Sequence, residues 1–368
     1  MTPLSQYRPP IVRLPPKSNF EVVLARGSQI ALCSLGLLGL VFALKAGQYI
    51  LAPVALAVVI GLMLGPIATR IEARGVRPAL SSAVVLLVFF LVIGALAAAL
   101  TAPLMYWAGR LPQIWDALQL QISQFREPLR LLGDMREQIR SMTGDENLTV
   151  SVEDGSPVTS VAILAPTIAA QILVFVASLY FFLATRNALR ITILRMVVKR
   201  KLRWRVAHIF RDVEALVSRY LLSITAINVI LGVAVTVAMW AIGLPQPALW
   251  GALAGILNYI VYIGPALITV MLFAIGLASF DTLTGSLLPP ALYLLLNLIE
   301  SQFITPVVVG RTTTLNPFVV FLTLTFWLWI WGPIGGFIAI PALLIVLAIG
   351  RNIIPAISLL LEPDHPPR

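Results

Sequence analysis

The sequence predicts an all-α polytopic membrane protein, with about eight transmembrane helices plus re-entrant or broken segments in the C-terminal half. Three observations lead there. Of 368 residues, 59% are hydrophobic and only 11% charged, an apolar share beyond that of soluble domains. The charges gather in islands between apolar stretches, most of them reaching the ~20 residues that cross ~30 Å of hydrocarbon. The net charge of +10 lies beside those stretches. In membrane proteins such Lys and Arg face the cytoplasm and anionic lipid heads, so the expected partner is the lipid bilayer and not nucleic acid. One Cys, Cys33, excludes an intramolecular disulfide, and His208 and His365 stand isolated, so no metal site and no cofactor is expected.

Residues 1–27 carry five Pro together with Arg8, Arg13, Lys17 and Arg26, and read as a cytoplasmic tail. The apolar run Ile30–Leu44 has the flanking charge of a signal peptide. Lys45 closes it, however, and no A-x-A site follows, so it reads as a retained first helix. Helices at 28–46, 49–68 and 80–106 form an N-terminal membrane unit spanning 28–106. The loop from Arg70 to Pro78 carries three Arg against one acid, which places it in the cytoplasm.

The stretch 107–160 differs. Between 107 and 158 its five Arg are outnumbered by eight acids, which suits the external side. Leu111, Leu118, Phe125, Leu132 and Ile139 recur at heptad spacing, an amphipathic pattern that serves either as a cap on the membrane unit or as an oligomer contact. A helix at 161–184 returns the chain inside. A basic amphipathic helix then follows at 185–216, with nine Lys/Arg from Arg186 to Arg211 opposite an apolar stripe. It either lies on the cytoplasmic surface or docks under the bundle.

The core at 217–355 is almost wholly apolar, and Gly and Pro punctuate it. Its segments read as 217–243, 247–263, 265–280, 287–309, 317–331 and 333–350, with a cytoplasmic tail at 356–368. Two short segments end alike, in Gly264-Pro265 and Gly332-Pro333. If both cross, the core is an inverted repeat, the arrangement by which many secondary transporters build a mid-membrane site.

Few polar side chains interrupt this core. Glu300 is the only carboxylate between Asp281 and Glu362, and a charge at mid-membrane depth faces a cavity, a partner or a permeating ion. Asn297 lies three residues before it on the same helix face. Gln302, Thr305 and Pro306 follow. Pro306 has no N–H, which leaves a backbone carbonyl free beside the carboxylate, a plausible cation or proton site. The alternative role for Glu300 is a structural hydrogen bond between helices. Asn258, Tyr259 and Tyr262, with the break at Gly264 and Pro265, and with Asn228, form either a gate and substrate wall or ordinary helix-packing contacts and an interfacial anchor. No G-x-S-x-G, H-E-x-x-H or P-loop spacing occurs, so neither an enzyme nor an ATP-driven pump is expected.

Three ordered stretches resemble the signatures of the autoinducer-2 exporter family, the PerM-like permeases. They are Pro247-Ala248-Leu249-Trp250-Gly251 with Asn258 through Pro265, Glu300 through Gly310, and Trp331 through Pro341. Val261 departs from the first, standing where the family carries Pro. The resemblance implies a multi-spanning bacterial inner-membrane protein and an oligomeric assembly, for which a pentamer is the family analogy; the charge pattern puts both termini in the cytoplasm. It also implies export of autoinducer-2 or sodium/proton antiport. The combined expectation is a secondary transporter of a small polar solute or cation, coupled to a proton or sodium gradient. The alternative is a non-transporting oligomeric scaffold, which would tolerate loss of the Glu300 charge.

Overall fold

In the computed structural model, residues 19–110, 112, 115, 119, 157–280, 282–309 and 316–353 are described. Most of 107–160, expected to be external, and all of 356–368, expected to be a tail, lie outside them. Two compact units divide the chain, residues 1–48 and 49–368.

The first unit holds α1 (Asn19–Ala46), whose apolar span runs from Arg26 to Ala46. The helix thus begins inside the stretch read as a tail. The tail's remainder lies outside the described residues.

In the second unit, α2 (Gln48–Glu72, of which Tyr49 onward belongs to this unit), α3 (Pro78–Ala108), α4 (Pro157–Met196) and α5 (Arg200–Ala241) are followed by two short helices, α6 (Pro247–Leu257) and α7 (Ile263–Ser279). Next come α8 (Leu283–Ile299), a π-helical turn at Glu300–Ile304, and α9 (Thr305–Val309). A last helical run, α10 (Pro317–Ile353), is broken at Gly332, where φ is 59° and ψ −142°. The chain is an all-α polytopic membrane protein: among the described residues, seven helices are long and apolar enough to cross a bilayer. The eleven residues of α6 rise only ~16 Å, about half the hydrocarbon thickness.

Three expected boundaries are corrected. The helices run through 184/185 and 216/217, so the basic island is not one helix; it is the end of α4 and the start of α5, parted at 197–199. Val197 and Val198 are β-branched, and Arg195 and Lys199 are like charges four apart, both of which weaken a helix at that point. The segment expected at 247–263 ends at Leu257, and Gly264 and Pro265 fall in the first turn of α7, where a Pro lacks no hydrogen bond it would otherwise make.

Glycines set the closest helix approaches. α6 doubles back along α5, so that a methyl group added at Gly255 would lie 2.7 Å from the Asn228 carbonyl oxygen, and one at Gly232 would lie 2.9 Å from that of Gly251. The pairing of 251 with 232 and of 255 with 228 runs the two helices antiparallel. Beside this contact a core forms from Leu231, Val235, Trp250, Ile268, Leu272 and Tyr293, joining α5 to α8.

At the other end of α5, Arg186 of α4 clamps α2. Its guanidinium donates to the Gly65 carbonyl at 2.5 Å, to Thr69 Oγ1 at 2.9 Å and to Glu72 Oε1 at 3.0 Å. The three acceptors share one face of α2, and the ion pair keeps only 10% and 14% side-chain exposure. Two nitrogens of one planar group reach these acceptors, a spread that the single ammonium nitrogen of Lys does not provide. Arg186→Met is therefore expected to cost about 2 kcal/mol, through the Glu72 carboxylate left unpaired, with Arg186→Lys intermediate. Thermal unfolding in detergent reads this, and wild-type stability in the Met variant would refute the clamp.

Candidate functional site

The polar residues of the core converge because three irregular pieces of backbone meet on α5. One is the connection Asn258–Tyr262 between α6 and α7. Here Tyr262 adopts φ 65° and ψ −49°, and the Ile263 N–H donates to the Val261 carbonyl at 2.8 Å. That is a γ-turn of the strained hand, which a non-glycine residue adopts rarely. Gly264 follows with its Cα pressed on the Leu257 carbonyl oxygen, where any side chain would collide. A second piece is the π-helical turn. The Thr305 N–H donates to the Glu300 carbonyl, five residues back instead of four, so the chain does not reach Pro306 in α register. The carbonyl of Gln302 is thus not set opposite Pro306 by a simple α-helical count. The third is the break at Gly332, which precedes a close seat of Gly335 on the Trp327 carbonyl.

A cavity of about 630 Å³ opens between these pieces, lined by α5, the 258–265 connection, the π-turn and the second half of α10. Non-helical backbone at membrane depth is tolerated where it is buried in protein or lines a cavity, and both the γ-turn and the π-turn border this one. Of the residues singled out in the sequence, Asn258, Tyr262, Pro265, Asn297, Glu300, Gln302 and Thr305 line it. Four expected residues do not. Pro306 is exposed beyond the turn. Gly264 is spent on the contact with Leu257. Asn228 and Tyr259 stand behind the wall as supports: Asn258 Nδ2 donates to Asn228 Oδ1 at 2.9 Å, and the Tyr259 hydroxyl donates to Thr225 Oγ1 at 2.8 Å. Asn297 Nδ2 reaches Asn258 Oδ1 at 3.5 Å, so an amide chain links α5, the turn and α8.

Glu300 is 6% exposed and is the one charged side chain among the described lining residues. The Thr305 hydroxyl donates to its Oε1, a bond the π-turn makes by placing the two residues five apart over one turn. The rest of the lining is neutral: amides, hydroxyls, and the apolar Ile224, Ile340 and Leu344. A lone carboxylate among neutral donors and acceptors attracts a cation or proton, holds neutral polar solutes by hydrogen bonds, and repels anions.

Sequence reasoning missed Tyr220, which brings a hydroxyl into the same cavity from α5. The signal was available: Tyr220, Ile224 and Asn228 recur every fourth residue and share one helix face. Its place next to the basic island hid it.

Similarity to known proteins agrees with this architecture. The family model described as AI-2E family transporter matches residues 30–354. Over 141 residues the chain is 38% identical to AI-2 transport protein TqsA of Escherichia coli K12, covering 38% of this chain and 40% of that one. Over 322 residues it is 24% identical to YhhT of the same bacterium, whose name assigns transport provisionally and gives no substrate, with 86% and 88% covered. YrrI of Bacillus subtilis, named in the same manner, is 30% identical over 132 residues, 37% of its length. The alignments with TqsA and YrrI thus span less than half of each of those proteins.

Proposed function

Because the chain belongs to the AI-2E transporter family, and is thus a multi-pass membrane transporter, we propose that it is a secondary transporter whose substrate passes through the Glu300 cavity, driven by a proton or sodium gradient. The observation that carries this reading is the buried carboxylate, single and hydroxyl-bonded, on the wall of a polar-lined cavity. Glu300 binds the cation or proton, with Thr305 as its donor. Asn258, Asn297 and Gln302 supply neutral hydrogen bonds to a small polar solute. Tyr262, on its strained turn, and Pro265 form the opposing wall. No catalytic role is assigned to any residue. The printed name of TqsA makes AI-2 the first solute to test.

The basic end of the bundle, with nine Lys/Arg between Arg186 and Arg211, supports a cytoplasmic side there and cytoplasmic termini in a bacterial inner membrane. A homo-oligomer and an inverted repeat of the two broken segments belong to the same reading. The like placement of positive φ at Tyr262 and Gly332 supports the repeat.

The test is flux into proteoliposomes holding the purified chain, under an imposed pH or sodium gradient, with AI-2 present or absent. Flux that follows the gradient and collapses when an ionophore dissipates it is the expected result. Solute flux indifferent to the ionophore would overturn coupling, and absence of both ion and solute flux would overturn the reading as a whole.

A further inference from the structure

A second cavity, of about 210 Å³, lies at the basic end of the bundle, apart from Glu300, between α2, α4 and the first half of α5. Its walls are apolar: Val58 and Leu62 from α2, Phe182 from α4, Phe210 and Val213 from α5. Its rim carries three charged side chains, Arg186, Arg190 and Glu214. Arg186 is consumed by Gly65, Thr69 and Glu72. Arg190 and Glu214 are each half-buried, and neither side chain has a hydrogen bond or ion pair among the described residues. Two opposite charges held at one cavity without side-chain partners among the described residues, and not paired with each other, amount to a site for a ligand that carries both signs.

The groove sits where α2 and α4 end and α5 begins, the level at which the helix surface changes from apolar to basic and lipid headgroups reside. From this arrangement we propose that the cavity binds a membrane phospholipid whose headgroup joins a phosphate to a primary amine. The Arg190 guanidinium donates to the phosphate oxygens, the ammonium donates to the Glu214 carboxylate, and an acyl chain lies along Val58, Leu62 and Phe182. A free phosphate would leave the apolar wall and Glu214 unused. A purely anionic headgroup would place a negative charge against Glu214. A quaternary amine has no N–H to donate to the carboxylate.

Native mass spectrometry of the full chain, released from detergent with phosphatidylethanolamine, phosphatidylglycerol or phosphatidylcholine added at equal concentration, tests this directly. The wild type is expected to retain phosphatidylethanolamine best, by about fivefold, the range of a partly exposed ion pair. Arg190→Gln should lower retention of all three lipids. Glu214→Gln should keep retention but erase the preference for the primary amine. Leu62→Trp, which fills the groove and leaves both charges, should lower retention of all three. Equal retention of the three by the wild type would overturn the proposal, as would best retention of phosphatidylglycerol. A preference unchanged in both charge variants would overturn it too, whatever the variants' stability.

Discussion

Glu300→Gln is expected to cut gradient-driven flux roughly 10- to 150-fold, the factor equivalent to losing one charged hydrogen bond at ~1.5–3 kcal/mol. The substitution is close to isosteric. Its amide oxygen still accepts from the Thr305 hydroxyl, and a neutral amide is easier to bury than a carboxylate, so the fold is expected to persist. What disappears is the one charge on the cavity wall. Flux and thermal stability therefore separate, which a purely structural Glu300 would not permit. Thr305→Val supplies the complementary case. It keeps the charge and removes the donor, so flux should fall less, by about fivefold. Both are read in proteoliposomes under an imposed gradient with helical content checked in parallel. Wild-type flux in the Gln variant would take Glu300 out of the mechanism.

The second large effect lies in packing. Gly251→Ala is expected to destabilise the protein by at least about 3 kcal/mol, at the upper end of what overpacking costs. The added methyl would collide with the Gly232 carbonyl oxygen and with Thr236 Oγ1, and the Thr236 hydroxyl is already donated to that same carbonyl at 2.8 Å. A clash with a flexible side-chain tip relaxes. One with backbone oxygen forces the helices apart. Gly61 provides the contrast, since a methyl there meets only side chains, closely the Phe182 ring and at ordinary contact Leu179, so Gly61→Ala should cost less. Separation of α5 from α6 would also pull Asn228 from Asn258, so the amide chain behind the cavity should fail with the packing. Thermal unfolding of the two variants side by side decides it, and equal melting temperatures would refute the argument.

How much of this was legible in the sequence depends on the kind of signal. Membrane helices announce themselves by length and hydropathy, and Glu300 by being a lone acid in an apolar run; both are local. The breaks at Gly332 and near Gly264 were marked by Gly-Pro, although the one near Gly264 lies a few residues earlier, at 258–262, because Pro265 is comfortable inside a helix start. Tyr262 has no such mark, since a tyrosine at positive φ is held there by its surroundings and not by propensity. Arg186 looked like one of nine similar cations until the fold brought Gly65, Thr69 and Glu72 to it across more than a hundred residues. Long-range partnership of that sort leaves no trace in spacing.

The π-turn reaches beyond the hydrogen bond it makes. A helix that takes one surplus residue into a turn delays everything after it by about 100° of rotation. Val307 and Val308 are exposed while Glu300 is buried, so the two stretches present different faces along what a sequence alignment treats as one continuous helix. Insertions and deletions thereby gain a meaning that substitutions lack. Removing a single residue between Ser301 and Ile304 would restore ordinary helical phase, swing the downstream turn to a new side, and dismantle the carboxylate–hydroxyl pair while every charged group stayed in the chain. Among homologous chains, then, a one-residue gap at this point would separate those that can share this cavity from those that merely share its composition.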